Sequence, residues 1–301
     1  MRASNVTQDT HRAGLIAIVG RPNVGKSTLL NRMVGEKVSI TSRKPQTTRH
    51  RITGIRTTPQ AQLVFVDTPG FQTQHRTTLN RIMNRTVRQV LEEVDAIVWV
   101  IEGLRLDAGD EAVLKLLPRE RPVVLAINKV DRIKDKSALL PFIAEVGRVR
   151  DFAAVVPVSA ANGDNVDALI GELVKQLPEA PRMYDEDEIT TLPERFLAAE
   201  LVREKLFRLL GDELPYAIAV DIEKFETRGD LRRIHARILV DKGTQKAIII
   251  GKDGEKLKAV GTEARKDMER LFGGRVFLEL WVGVRSGWAD DQAALKRLGI
   301  E

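Results

Sequence analysis

The sequence predicts a chain of two unlike parts: an α/β unit with a mostly parallel sheet covered by helices on both faces, then a smaller α+β unit. Three observations predict this. From Gly14 to Leu177 short apolar runs alternate with amphipathic stretches, the signature of strands joined by covering helices. Between Leu177 and Pro193 that rhythm breaks, where Pro178, Pro181 and Pro193 bracket the acidic patch Asp185, Glu186, Asp187 and Glu188. Beyond Pro193 the order becomes α-β-β-α-β.

In the first part the expected strands are Leu15–Val19, Leu63–Val66, Ala96–Ile101, Val123–Ile127 and Val155–Val158, with Arg51–Thr57 as an antiparallel edge. Ligands of such sheets bind at the carboxyl ends of the strands. In the second part a helix opens at Pro193 and runs through Leu210, with apolar Phe196, Leu197, Leu201, Leu206 and Leu209. Strand-like runs follow at Tyr216–Phe225 and Ile234–Val240. The apolar Ala247–Ile250 leads into a glycine turn, a helix runs to about Phe272, and Val276–Val284 is the last strand. The resulting boundaries are a tail over 1–12, the α/β unit over 13–178, a linker over 179–193, the α+β unit over 194–285 and a C-terminal tail over 286–301.

Composition narrows the class. With 301 residues, 43% hydrophobic and 30% charged, the chain can bury two cores. It has no cysteine, which excludes disulfides and cysteine-bound zinc, and its four histidines are scattered. The apolar run Ala96–Ile101 is far too short to span a membrane, and the polar start Met1–Arg12 lacks the core of a signal peptide, so a cytoplasmic protein is expected. The net charge of +6 points towards an acidic partner, but it is unevenly spread. From Arg182 onwards there are 22 basic and 23 acidic residues, so any nucleic-acid contact there must use a local basic face. In the first part Arg43, Lys44, Arg49, Arg51, Arg81, Arg85 and Arg88 offer a second anionic contact, or are solvated surface charges.

The chemistry begins at Gly20-Arg21-Pro22-Asn23-Val24-Gly25-Lys26-Ser27, which fits G-x-x-x-x-G-K-[ST] between a strand and a helix. Its backbone N–H groups and the helix dipole face phosphate. Lys26 would reach the β- and γ-phosphates and Ser27 would ligate Mg²⁺, with Thr28 beside them among the nucleotide contacts. Asp67-Thr68-Pro69-Gly70 follows the second strand: Asp67 serves the Mg²⁺ shell, and the Gly70 amide senses the γ-phosphate. Asn128-Lys129-Val130-Asp131 then names the base. A carboxylate at Asp131 accepts from both the ring N–H and the exocyclic amine of guanine, a donor pair adenine lacks. Ser159-Ala160 completes that pocket. Thr47 and Thr48 are both candidates for the switch threonine on Mg²⁺, with Thr48 preferred for its place before Arg49. Phe71 stands where Ras-like GTPases keep a water-orienting glutamine, so another group, a partner or an ion must help hydrolysis. Asn23 is a candidate ligand for K⁺, or simply a turn residue. The expected catalytic set is Lys26, Asp67, Gly70 and Thr48.

In the second part Gly251-Lys252-Asp253-Gly254 forms a G-x-x-G turn before a helix, with Lys252, Lys256 and Lys258 placed for phosphate. Such a turn clamps single-stranded nucleotides in KH modules.

Taken together, the chain resembles the Era family of bacterial GTPases, of the TrmE-Era-EngA-like superfamily, over nearly its whole length. The resemblance is carried by Gly20–Ser27, Gln46-Thr47-Thr48-Arg49-His50, Asp67–Gly70, Asn128–Asp131, Ser159-Ala160 and Gly251–Gly254. It continues through Glu263–Met268, Leu278–Val282 and Ser286-Gly287-Trp288-Ala289-Asp290-Asp291. It implies a P-loop GTPase domain followed by a type II KH domain, GTP/GDP and Mg²⁺ as ligands, and RNA held by Gly251, Lys252, Asp253, Gly254, Lys256 and Lys258. It further implies binding of the 16S rRNA 3′ end, work on the 30S subunit, and peripheral contact with the inner membrane. A monomer is expected. Asp253 departs from the small residue usual there and sets an acid beside the RNA backbone. Two other readings use the same residues: an RNA chaperone or checkpoint scaffold with nucleotide as an affinity ligand, and a membrane-linked growth regulator.

Overall fold

A computed structural model describes residues 11–42, 44, 47–71, 77–209 and 218–300. The expected tail up to Thr10, together with Arg43, Gln46, Leu210 and Tyr216, lies outside them.

The first sheet has six strands in the order β2-β3-β1-β4-β5-β6. They are β1 (Arg12–Val19), β2 (Ile52–Thr57), β3 (Ala61–Asp67), β4 (Ala96–Glu102), β5 (Val123–Asn128) and β6 (Ala154–Pro157). Only β2 runs antiparallel, against β3. The alternation of β1 divides its side chains between two cores. Ile16 and Ile18 meet Leu29, Leu30 and Met33 of α1 (Lys26–Val34) and Leu169 and Leu173 of α5 (Val166–Gln176). Ala17 and Val19 face Val87 and Val90 of α2 (Thr78–Glu93), Val113 of α3 (Ala108–Leu114) and Val146 of α4 (Leu139–Val146). Burial on both faces is why these strands read as unbroken apolar runs. β1 begins at Arg12, inside the expected tail, because Arg12, though polar, pairs in register with Ala61 of β3.

The segment 179–193 is strapped to the edge of this sheet. The Ile55 N–H donates to the Ile189 carbonyl, Thr190 Oγ1 donates to the Thr53 carbonyl, and Gln62 Oε1 accepts from the N–H groups of Met183 and Tyr184.

The second unit holds α6 (Glu194–Leu209), β7 (Ile218–Arg228), β8 (Leu231–Val240), α7 (Gly243–Ile250), α8 (Glu255–Phe272) and β9 (Arg275–Val284). β8 lies between an antiparallel β7 and a parallel β9, the arrangement of a type II KH domain. The order is therefore α-β-β-α-α-β, with one helix more than expected. The β-branched run Ile248–Ile250 reads like a strand, yet Gln245 Oε1 accepts from the N–H groups of Asp241 and Lys242 and starts a helix. β7 and β8 extend past their apolar cores through charged residues that turn around Gly229, whose φ is 60°.

The expected C-terminal tail carries α9 (Gln292–Arg297), capped by Asp291. Trp288 and Leu295 from this stretch join Leu79 and Met83 of α2 and Ala219 and Leu239 of the second sheet in one apolar cluster. That cluster ties the two domains together.

Candidate functional site

The P-loop leaves β1 and turns into α1 with its conformation set from several sides. Gly25 has φ 102°, and a Cβ there would lie 2.3 Å from Asn128 Nδ2, so only glycine fits. Asn128 braces the loop: its Nδ2 donates to the Val24 carbonyl at 2.8 Å, and its Oδ1 accepts from the Ala160 N–H at 3.0 Å. One amide thus fastens the phosphate loop to the guanine loop. Arg21 turns its guanidinium away from the site, to the buried Asp110 at 2.9 Å and to Asp107 and Glu102. Its side chain anchors the loop to α3.

Lys26 is buried and donates to the carbonyls of Gly20 and Arg21 at 3.0 and 3.1 Å. Burial pulls its ammonium down to about 8, against the opposing pull of Asp67. Asp67 is itself pushed above the usual carboxylate range by burial, although Lys26 and three hydroxyls oppose that shift. Its Oδ2 accepts from Ser27 Oγ at 2.7 Å, Ser39 Oγ at 3.1 Å and Thr48 Oγ1 at 3.4 Å. Ser27 and Thr48 are 2.9 Å apart. Thr48, not Thr47, thus sits with the proposed metal ligands; Thr47 Oγ1 donates instead to the Lys44 carbonyl at 2.6 Å. Asp67 Oδ1 is buried with no hydrogen-bond partner among the described residues. A buried carboxylate oxygen flanked by hard hydroxyl donors suits a divalent cation such as Mg²⁺.

A cavity of about 1090 Å³ joins these groups. Lys26, Ser27, Thr28, Thr48 and Gly70 line its phosphate end, and Lys129 stands towards the base. Asp131 is exposed, and its Oδ1 accepts from Ser159 Oγ at 2.6 Å, which orients the carboxylate. Asn23 projects at the lip with φ 66°. Gly70 packs on Pro22, where a Cβ would come within 3.0 Å. Thr68 is buried and donates to the Ile18 carbonyl, a structural bond. Phe71 packs into the apolar cluster of α2 and α3 and offers water no polar atom.

Sequence reasoning missed Ser39, and it missed Phe207 and Arg208 of α6, which line the nucleotide cavity from the second domain. No local motif marks a helix residue contributed from another unit.

In the second domain Gly251 (φ 74°), Asp253 (φ 50°) and Gly254 (φ 79°) form the turn between α7 and α8, with Lys252, Lys256 and Lys258 exposed around it. Helix α8 starts directly after Gly254 with no side-chain cap, so its N-terminal end adjoins the same turn.

A P-loop sheet with a guanine-selective pocket, joined to a type II KH module, defines a GTPase with an attached nucleic-acid-binding domain. A family model described as 50S ribosome-binding GTPase matches residues 15–129, and a KH domain model matches 213–289. GTPase Era of Nitrosomonas eutropha is 57% identical over 97% of this chain and 98% of its own length. GTPase Era of Xanthomonas oryzae pv. oryzae is 57% identical over 99% of this chain and its own full length. The structure is similar to an Aquifex aeolicus Era variant bound to GDP·AlF4⁻, with a TM-score of 0.93 and 40% identity over 96% of this chain and 99% of that one. It is equally similar, at TM-score 0.93 and the same coverage, to Era in complex with MgGDPNP and nucleotides 1506–1542 of 16S ribosomal RNA. The chain belongs to the Era family of GTPases, and its reaction is hydrolysis of GTP to GDP and phosphate.

Proposed function

We propose that the chain is a GTP-driven switch that binds the 3′ end of 16S ribosomal RNA through its KH domain during assembly of the 30S subunit. One observation carries the reading: the switch run between α1 and β2 touches both ligand sites' scaffolds at once. Thr48 meets Ser27 and Asp67 on one side, while on the other Thr41 and Arg49 bond the second domain and His50 bonds the C-terminal segment packed on it. The relative solved with both MgGDPNP and a 16S rRNA segment supports it.

In this reading Lys26 holds the β- and γ-phosphates, the Gly70 amide donates to the γ-phosphate, and Asp131 selects guanine, with Lys129 alongside. Ser27, Thr48 and Asp67 hold Mg²⁺, which when bound neutralises charge on the phosphate oxygens. Asn23 is the proposed K⁺ ligand. Since Phe71 gives no hydrogen bond to water, these residues work by positioning and charge stabilisation rather than by a side-chain base. Gly251–Gly254 with Lys252, Lys256 and Lys258 clamps the RNA backbone. The proposed setting is the cytoplasm, with the protein as a monomer. Peripheral contact with the membrane rests on the resemblance alone. No helix among the described residues is long and apolar enough to cross a membrane.

The test is binding of labelled RNA matching the 16S 3′ end with a GTP analogue, with GDP and without nucleotide, at two salt concentrations. Tight binding with the analogue and weaker binding with GDP is expected. Equal binding in all three states would favour the chaperone or scaffold reading.

A further inference from the structure

Helix α6 carries four charged residues in a stretch of six, Glu200, Arg203, Glu204 and Lys205, and all four are buried. Burying charges is costly unless each is paired and hydrogen-bonded. Their partners explain the burial. Glu200 clasps Arg203 through two bonds, Nε to Oε1 at 2.7 Å and Nη2 to Oε2 at 2.5 Å. Burial works to raise the Glu200 carboxyl, but Arg203 and its neighbours outweigh this and hold it below the usual carboxylate range. The same Nη2 of Arg203 donates to the carbonyl of Thr47. Glu204 accepts from the Thr41 N–H and from Lys37 Nζ, and Lys37 also reaches Asp267 of α8.

The bond to Thr47 stands out because of its position. The Thr47 carbonyl belongs to the peptide that leads directly into Thr48. That peptide is held at its oxygen by the second domain, while the Thr48 hydroxyl lies 2.9 Å from Ser27 and 3.4 Å from Asp67. A rotation of this peptide would break the Arg203 bond and swing Thr48 away from both. We propose that Arg203, oriented by Glu200, is a positioning residue of the GTP site supplied by the KH domain: it fixes the Thr47–Thr48 peptide so that Thr48 faces Ser27 and Asp67. This rests on the reading that Thr48 ligates Mg²⁺. The guanine pocket, built around Asp131 and Ser159, makes no bond to α6 among the described residues, so Arg203 acts on the γ-phosphate end of the nucleotide. The KH domain is thereby part of the machinery that distinguishes GTP from GDP.

The experiment uses the full chain. Arg203→Ala alone would leave Glu200 buried and unpaired and could fail to fold. The main variant is therefore Glu200→Leu with Arg203→Met, which removes both charges and keeps volume. Expected is a loss of about ten- to a hundredfold in affinity for the Mg²⁺–GTP analogue, the worth of one hydrogen bond to a charged group. GDP affinity should be unchanged, and more Mg²⁺ should be needed for half-maximal hydrolysis. Arg203→Lys, which keeps a donor, should recover part of the loss. Thr48→Ala is measured alongside. If Thr48→Ala leaves the preference for GTP over GDP intact, the metal reading fails and this proposal goes with it. If Thr48→Ala abolishes the preference but the double variant keeps it, the metal reading stands and the positioning role of Arg203 is overturned. Equal losses of GTP and GDP affinity in the double variant would also overturn it.

Discussion

The buried lysine of the P-loop makes nucleotide binding depend on pH in a direction that can be worked out. Without a nucleotide, burial brings the Lys26 ammonium down to about 8, although two backbone carbonyls, Asp67 and Asp110 favour its charge. A bound polyphosphate stabilises the charged form and returns the pKa towards the ordinary lysine range. Binding therefore takes up a proton once the pH exceeds the value of the free site. Affinity is retained below about pH 8 and falls as pH rises through it. With a free-site value of about 8, Lys26 is about nine-tenths charged at pH 7 and about one-tenth charged at pH 9, so Kd for GDP should rise about tenfold, ~1.4 kcal/mol, between them. Isothermal titration of GDP in buffers of different ionisation heat measures both quantities. About half a proton should be taken up per GDP near pH 8, where the free site is half charged. A Kd that stays flat from pH 7 to 9 with no proton uptake would refute the argument.

Three other perturbations have defined outcomes. Asp131→Asn keeps the contact to Ser159 but removes the charge that, in the proposed reading, accepts two guanine donors, so GTP affinity should drop by about a hundredfold or more while xanthosine triphosphate binds better. Unchanged GTP affinity in a nucleotide-competition assay would defeat the base-recognition argument. Trp288→Ala empties a fully buried site in the cluster shared by α2 and α9 and removes the ring 5.7 Å from the Arg49 guanidinium; a loss of ~3–5 kcal/mol is expected in urea unfolding. Asp253→Gly relieves a left-handed non-glycine residue and takes an acid from the proposed RNA clamp, so RNA binding should tighten, most clearly at low salt. Weaker binding would mean that Asp253 makes a favourable contact of its own.

Some of this was legible in the sequence, and the division follows how far each feature reaches along the chain. The P-loop, Asp67–Gly70, Asn128–Asp131 and Ser159-Ala160 are contiguous motifs at strand ends, and the parallel strands announce themselves because both their faces are buried. What stayed hidden depends on contacts between distant residues. Arg21 reads as a phosphate neighbour until Asp110, 89 positions away, draws its side chain to α3. Asn128 reads as a base contact, yet its amide is spent on Val24 and Ala160. Helix α7 hides behind isoleucines that favour a strand, because the Gln245 cap, not side-chain propensity, decides it. The charges of α6 carry no motif, and their partners, Lys37, Thr41, Thr47 and Asp267, lie far away along the chain.

The contact between the domains is divided into two chemically different halves, and that division predicts how it comes apart. One half is apolar: Leu79 and Met83 against Trp288 and Leu295. The other is charged and hydrogen-bonded: Lys37, Thr41 and Thr47 against Glu204, Asp267 and Arg203, with Arg49 and His50 joining it to the apolar half at Ile218, Trp288 and Gly299. Separating the apolar half exposes surface that water cannot compensate, whereas the bonds of the polar half can be replaced by water at a small net cost. The polar half is also the one attached to Thr48, which in the proposed reading holds Mg²⁺ and responds to loss of the γ-phosphate. Hydrolysis should therefore open the interface from the switch side while α2 and α9 stay packed. Hydrogen exchange comparing the GTP-analogue and GDP states checks this: the Thr41 amide, which donates to Glu204, should exchange faster with GDP, and amides of α9 should not. Equal acceleration of both would mean the domains separate as a whole, and the two-part division would have no mechanical consequence.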